Sequence, residues 1–501
     1  MLGNVGKGLA VALAVIAGSA CSAPVDQPAI LIISIDSLRA DKLHVYGDPR
    51  ELSPHMDRLA GESTRFTQAR SSSPWTTPSV MTLFTGLAPP SHHVDNNDRG
   101  LSPHVTLLAE RLHDAGYRTG AVMPAVTLAD HFGFDRGFDS FVLDAQGHDG
   151  ISGPWSVQRA VEFLRGGEGP FFLYVHLWDV HYNYEAPSPY AARFEAGRAP
   201  GPGETDGIPR LIKRFRLADE AEPLPDDRVA WLEGQYAAEI LYTDEQVGLL
   251  LHELERLGRT QNTIVVLTGD HGEAFQEHLV LGHTVHLYDE MVHVPLMVRW
   301  PGRVRGGAVS DTPVGLIDLT PTLLDLAGVA HHASAFEGRS LVPELMGEVS
   351  SVSPPTDGLL LSTSRRGRVR GLWTPEWAYI YDFIQERAEL YDLAADPGQQ
   401  VNLVAQRPEE AELWRRRLCE RLAALPPGGE IDVVPLSQAT REALDAGFAQ
   451  LGYTAGPRRR PPREIQDPAE ERRAFLDELA CDSAAPAAQT HDQKDEQTDG
   501  R

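Results

Sequence analysis

The sequence predicts an α/β fold: a mostly parallel β-sheet flanked by helices, with a small antiparallel-sheet subdomain towards the C-terminus. Three observations predict it. Near-continuous apolar runs rich in β-branched and aromatic residues, AILIISI (29–35), FFLYVHL (171–177) and NTIVVLTG (262–269), read as strands buried on both faces. Helix-periodic segments separate those runs, as crossovers between parallel strands require. Beyond a break at EVSSVSPPTDG (348–358), the strand-like pieces become short and follow one another directly.

The elements follow in order. MLGNVGKGLAVALAVIAGSAC carries one charge, Lys7, then an apolar run from Leu9 to Ala17 and the small residues Gly18, Ser19 and Ala20. This is the layout of an export signal, and the run is too short to span a bilayer. Cys21 resembles a bacterial lipoprotein cleavage box, although Gly18 stands where a large aliphatic residue is usual. Lipidation of Cys21, which would tether the chain to a membrane, and simple cleavage nearby both stay open. The expected location is periplasmic or elsewhere in the cell envelope, and no later stretch reads as transmembrane. Cys419 and Cys481 are too few for a disulfide framework or a cysteine-based metal site, and their pairing cannot be read from sequence.

Helix-like VTLLAERLHDAG (105–116) leads to strand-like YRTGAVM (117–123), and WSVQRAVEFLRG (155–166) leads to the run at 171–177. LEGQYAAEILYTDEQVGLLLHELERLG (232–258) is a long amphipathic helix closed by Gly258, and it leads to the run at 262–269. The Pro-, Gly- and charge-rich segment Pro187 to Asp227 reads as a long surface excursion near the active face. GLLLSTS, RGLWT and WAYIYD form the small sheet, and PEEAELWRRRLCERLAAL (408–425) is a helix. The division is therefore 1–23 signal peptide, 24–352 main domain, 353–425 small subdomain, and 426–501 a helical and partly disordered tail. The PRRRPPR run within that tail reads as a solvated linker.

A hydrophobic share of 42% supplies a large core, and the formal net charge of −26 argues against nucleic acid as a partner. It does not argue against a small anionic substrate, because a metal ion reverses the sign locally. In open α/β sheets ligands bind beyond the C-terminal strand ends. Asp36 follows the first run, Asp179 and His181 the second, and Asp270 and His271 the third, with His283 further along. Each has a plainer reading by itself: a helix N-cap for Asp36, a turn for Asp270–His271, a surface histidine for His181. Together they set carboxylates and imidazoles at one end of one sheet, a mix suited to Zn²⁺ or Mn²⁺ before Ca²⁺ or Mg²⁺.

SSSPWTTPSVMTLFTG (71–86) adds hydroxyls. Pro78 suits the first turn of a helix. Thr76, just before it, would lie where backbone N–H groups and the helix dipole favour an anion. Metal coordination would make such a hydroxyl a nucleophile. From this stretch alone, Thr76 or Thr77 as a plain N-cap is the simpler reading.

From residue 28 to about 404 these features resemble the sulfatase family of the alkaline phosphatase superfamily. ILIISIDSLRADKLHVYG, YVHLWDVHYNY, VVLTGDHGEAFQEH, LYDEMVHVPLMVRWPG and GLIDLTPTLLDLAGV carry the resemblance, in that order. Three departures qualify it. Thr76-Thr77-Pro78-Ser79-Val80 stands where true sulfatases have C/S-x-P/A-x-R, so formylglycine is not expected. Ser37 replaces the second acidic residue after strand one. Met123-Pro124-Ala125 replaces a sulfate-contacting Lys-Trp-His. The departures point to the threonine branch, with phosphodiesterases, lipoteichoic acid synthases and phosphoethanolamine transferases. The resemblance then implies an alkaline-phosphatase/sulfatase-like fold and a divalent metal held by Asp36, Thr76, Asp270 and His271, with Thr76 as nucleophile. It implies His181 and His283 on the substrate or a second metal, with Asp179 beside them or orienting His181. The implied activity is hydrolysis of a small phosphate mono- or diester. The alternatives are a sulfuric ester hydrolase without formylglycine, a phospho-group transferase to lipid or glycan, and an inactive binding protein on the same fold. No protein partner is readable.

Overall fold

The computed structural model describes residues 27–96, 98–144, 152–194, 208, 211–212, 222–348, 358–363, 369–383, 385–425, 434–450, 468–479 and 481. The export signal with Cys21, the PRRRPPR run and most of the 187–227 excursion lie outside these residues.

The main sheet has eight strands: β1 (Ala29–Ile35), β2 (Thr64–Phe66), β3 (Arg118–Met123), β4 (Ser140–Leu143), β5 (Phe171–Leu177), β6 (Thr263–Gly269), β7 (Leu296–Arg299) and β8 (Ala308–Ser310). Their order is β8-β2-β7-β6-β1-β5-β3-β4. Only β7 runs against its neighbours, so the sheet is mostly parallel, as expected. β1 lies between β5 and β6, and every residue of these three strands is buried. That placement explains why they read as unbroken apolar runs. The short strands β2, β7 and β8 complete one edge; the three or four residues of β7 and β8 give too little pattern to read as strands from sequence.

Register sets the strand ends. Ile35 pairs with Leu177 on one side and Gly269 on the other, so β1, β5 and β6 end at one level. Gly269 is required there, because a Cβ would stand 2.4 Å from the Leu38 carbonyl oxygen. The helices form two groups that flank the sheet. One contains Pro54–Gly61, Gly153–Arg165 and the 31-residue Asp226–Arg256. The other contains Thr76–Thr85, Leu108–Asp114 and Leu319–Ala327. The long helix starts at Asp226, earlier than its apolar periodicity shows, with Asp226 and Asp227 at its positive N-terminal end.

The C-terminal sheet is an antiparallel meander of four strands, β9 (Leu359–Thr363), β10 (Val369–Trp373), β11 (Trp377–Asp382) and β12 (Arg387–Asp392). The fourth strand adds to the three read from sequence. Side chains alternate between its faces. Leu360, Leu372, Tyr379 and Leu390 pack with Trp414 and Leu418 of helix Pro408–Ala424 and with Phe475 of helix Pro468–Glu478. A disulfide between Cys419 and Cys481 ties those two helical segments together. Leu361, Val369, Trp373 and Ile380 pack against Leu287, Tyr288, Met291 and Val292 of the main domain.

One ion pair secures that junction. Arg70 donates from Nε and Nη2 to Asp289 at 3.0 and 2.9 Å, and Trp373 Nε1 donates to the same carboxylate at 3.2 Å. Burial pushes the Asp289 carboxyl up, and the charges of Arg70 and His293 more than reverse the effect. Arg70→Ala leaves the carboxylate without its main counter-charge. It is expected to lower unfolding free energy by about 3 kcal/mol near neutral pH, measured by urea denaturation. Because the folded-state pKa of Asp289 is depressed, the wild-type advantage is present above about pH 4 and fades as pH falls through that folded value.

Candidate active site

The level strand ends place the turns after β1 and β6 side by side. Asp36 continues from β1 and Asp270 from β6, and both carboxylates are buried. Asp36, Asp270 and His271 each offer a ligand atom, all within 4.8 Å of one another. Ser37 (φ 56°) occupies the left-handed region and turns inward. Its backbone N–H donates to Asp270 Oδ1 at 3.0 Å and its hydroxyl to Asp36 Oδ1 at 2.8 Å. Ser37 thus aligns the two carboxylates.

Helix Thr76–Thr85 points its N-terminus at this cluster. Thr76 is its first residue, with Trp75 in extended conformation before it and Pro78 in its first turn. Thr76 Oγ1 lies 3.2 Å from Asp36 Oδ2 and 3.3 Å from His271 Nε2. Thr77 faces elsewhere and donates to the Thr127 carbonyl at 2.7 Å. Ser79 Oγ donates to the Asp270 carbonyl, which fixes the helix against the Asp270–His271 turn. The hydroxyl of Thr76 has one proton and two acceptors within reach: His271 Nδ1 donates to the Gly272 carbonyl at 2.9 Å, which leaves Nε2 as an acceptor.

His181 and His283 complete a cluster of rings. Their centroids are 5.1 Å apart, and His283 is 4.4 Å from His271. Trp178 stacks on His181 at 4.1 Å. Asp179 is placed differently from the expected substrate or second-metal role. Its Oδ1 accepts from the backbone N–H groups of Ser152 and Gly153, and its Oδ2 from the Ser152 hydroxyl. It therefore caps helix Gly153–Arg165 and steadies the loop that carries His181.

Two residues that sequence reasoning passed over belong to the site. His176, inside β5, donates from Nε2 to Asp36 Oδ2 at 3.1 Å and accepts from the Tyr174 hydroxyl at Nδ1. A lone polar residue in an otherwise apolar buried run was its signal, since such a group must find a partner. Glu273, fully buried, lies 3.1 Å from His283 Nδ1.

The electrostatics fit a cation. Burial raises the Asp36 carboxyl, but its bond to His176 and the neighbouring imidazoles of His181, His271 and His176 overcome this and hold it well below the usual carboxylate range. Burial and the charge of Asp36 push Asp270 well above it. Asp270 Oδ2 is buried and, among the described residues, accepts no hydrogen bond. Two converging carboxylates, an imidazole lone pair and a hydroxyl form a mixed N/O donor set into which a divalent ion fits.

Residues 28–329 match the family model named Sulfatase. The chain belongs to the sulfatase family. Residues 282–426 also match the C-terminal model of N-sulphoglucosamine sulphohydrolase. Among curated relatives, the ulvan-active sulfatase of Formosa agariphila is 28% identical over 80% of this chain and 82% of its own. Arylsulfatase K of Bos taurus is 25% identical over 77% of this chain and 79% of its own. Among solved structures, the phosphonate monoester hydrolase of Agrobacterium radiobacter superposes with a TM-score of 0.66 at 21% identity, covering 79% of this chain and 95% of that one. This sulfatase-family chain is thus a hydrolase of phosphoric or sulfuric esters, and enzymes of the family use metal ions.

Metal supply should be readable in stability. For EDTA-treated protein, Mn²⁺ or Zn²⁺ at 100 times its dissociation constant should add about 2.7 kcal/mol, measured by thermal unfolding. Asp270→Asn should abolish that response.

Proposed function

We propose that this chain is an exported, metal-dependent hydrolase that cleaves a phosphate mono- or diester through Thr76. The observation that carries the reading is the position of Thr76 Oγ1, at a helix N-terminus and within hydrogen-bond range of both Asp36 and His271. A threonine lacks the primary CH₂–OH or CH₂–SH group from which formylglycine is made, so the side chain itself must be the nucleophile. Asp36, Asp270, His271 and Thr76 would hold the ion, and one nitrogen among oxygens favours Zn²⁺ or Mn²⁺. When bound, the ion supplies Lewis-acid charge that eases loss of the Thr76 proton and neutralises ester oxygens.

The residues divide the work as follows. Thr76 Oγ1 gives up its proton to solvent and forms a bond to phosphorus, while the bond to the leaving oxygen breaks on the opposite side. The N–H groups of the first helical turn face the developing negative charge. His181 and His283 contact the ester, and one of them donates a proton to the leaving oxygen. Water then attacks the phosphothreonine, the histidine that lost its proton takes one from that water, the bond from Oγ1 to phosphorus breaks, and Oγ1 takes a proton back from solvent. The leader sequence and the Cys419–Cys481 disulfide support export, because such bonds persist in oxidising compartments.

A second reading has its own support: the relatives named as sulfatases make sulfate-ester hydrolysis by the same threonine the rival. A panel of aryl phosphate monoesters, diesters, phosphonates and sulfates, with Mn²⁺ or Zn²⁺, separates the two. Phosphorus esters should turn over fastest, and Thr76→Ala should lower kcat by at least about 10³-fold. Aryl sulfate turnover far above every phosphorus ester would favour the rival. Wild-type activity in Thr76→Ala would remove the mechanism.

A further inference from the structure

The rings of His271, His283 and His181 cluster beside Thr76, and each is gripped at Nδ1. His271 and His181 are held by backbone carbonyls, of Gly272 at 2.9 Å and Tyr182 at 2.5 Å. His283 Nδ1 is held instead by a side-chain carboxylate, Glu273 Oε1, at 3.1 Å. The difference matters because a carbonyl accepts a neutral hydrogen bond, whereas a bond to a carboxylate is charge-assisted and roughly twice as strong.

The carboxylate is built into place. Glu273 N–H donates to the Glu290 carbonyl at 2.9 Å, and the Glu273 carbonyl accepts from Arg39 Nη1 at 2.9 Å. Gly272 brings the chain so close to the Glu290 carbonyl that a Cβ would stand 2.2 Å from it. The other partner is pinned as well. Thr284 (φ 93°) follows His283 in the left-handed region, and its N–H donates to the Pro74 carbonyl at 2.9 Å, beside the nucleophile helix. Both residues are fully buried, so water does not compete for the bond.

We propose that Glu273 is a positioning residue: it holds His283 by Nδ1–H and so commits Nε2 to the reacting ester. This rests on the phosphoryl-transfer reading above and assigns its leaving-group proton to His283. As the bond between phosphorus and the leaving oxygen breaks, that oxygen takes the Nε2 proton, while the Nδ1 proton stays on Nδ1, donated to Glu273. In the second half, Nε2 takes a proton from the attacking water. His181, held by a carbonyl, serves in orienting the ester. An acidic leaving group such as 4-nitrophenol departs without a proton, and an alkanol does not.

The test compares wild type, Glu273→Gln and Glu273→Ala, all metal-loaded, on 4-nitrophenyl and alkyl phosphate esters. Both variants should lose about 10–100-fold in kcat on alkyl esters, much less on the nitrophenyl ester, with KM nearly unchanged. Equal losses on both esters, or no loss on either, would overturn the assignment. A second readout does not need turnover. In ¹⁵N-histidine NMR, with the His283 signals identified by their loss in His283→Gln, Nδ1 should carry a proton in wild type; an unprotonated Nδ1 sinks the proposal. Residual full activity in Thr76→Ala would instead strike the underlying reaction, and the Nδ1 proton would then decide the positioning role by itself.

Discussion

Asp36 and Asp270 stand side by side where water does not reach, and the arrangement is unfavourable in isolation. Two unit charges within 4.8 Å repel by about 3–4 kcal/mol at an effective dielectric near 20. The opposed shifts of the two carboxyls express this: His176 and its neighbours hold the charge on Asp36, and Asp270 is pushed towards its neutral form. A cation between them removes the conflict and turns a destabilising pair into a site. The sheet register, the glycine at 269 that admits the Leu38 carbonyl, and the inward turn of Ser37 all keep the two carboxylates converged.

Around that pair, the molecule fixes each group from behind. The nucleophile helix is tied to the Asp270–His271 turn by Ser79 and to the His283 segment by the bond from Thr284 to Pro74. The segment from Ala274 to Val292 in turn packs on the C-terminal sheet, where Trp373 and Arg70 share Asp289. The small sheet is therefore part of the scaffold of the site, and its alternating pattern serves two cores at once. Functional groups placed on packed elements hold their geometry better than groups on free loops.

Much of this was legible in the sequence, for physical reasons. β1, β5 and β6 are buried on both faces, so their composition announces them, and the polar residues that follow them lie at one sheet end by the rule for open α/β folds. Asp36, Asp270 and His271 came from that rule, and Thr76 from the proline-led helix start together with the family register. What escaped depends on side-chain direction. Asp179 follows its strand as Asp36 does, yet it faces a helix N-terminus. His176 sits among apolar neighbours whose pattern says only that the strand is buried. Glu273 is bonded to a residue ten positions on, across a turn that no periodicity reports. The short strands β7 and β8 escaped because three or four residues carry too little pattern.

The central claim is that Thr76 becomes covalently bound to the transferred group. The direct measurement is rapid acid quench of metal-loaded wild-type enzyme during turnover of a ³²P-labelled aryl phosphate, with the label mapped by proteolysis and mass spectrometry. The account predicts ³²P on the peptide containing Thr76, with attachment at Thr76 and none on the same peptide from Thr76→Ala. Turnover with no label at Thr76, or label retained on another residue of the site in Thr76→Ala, would contradict it.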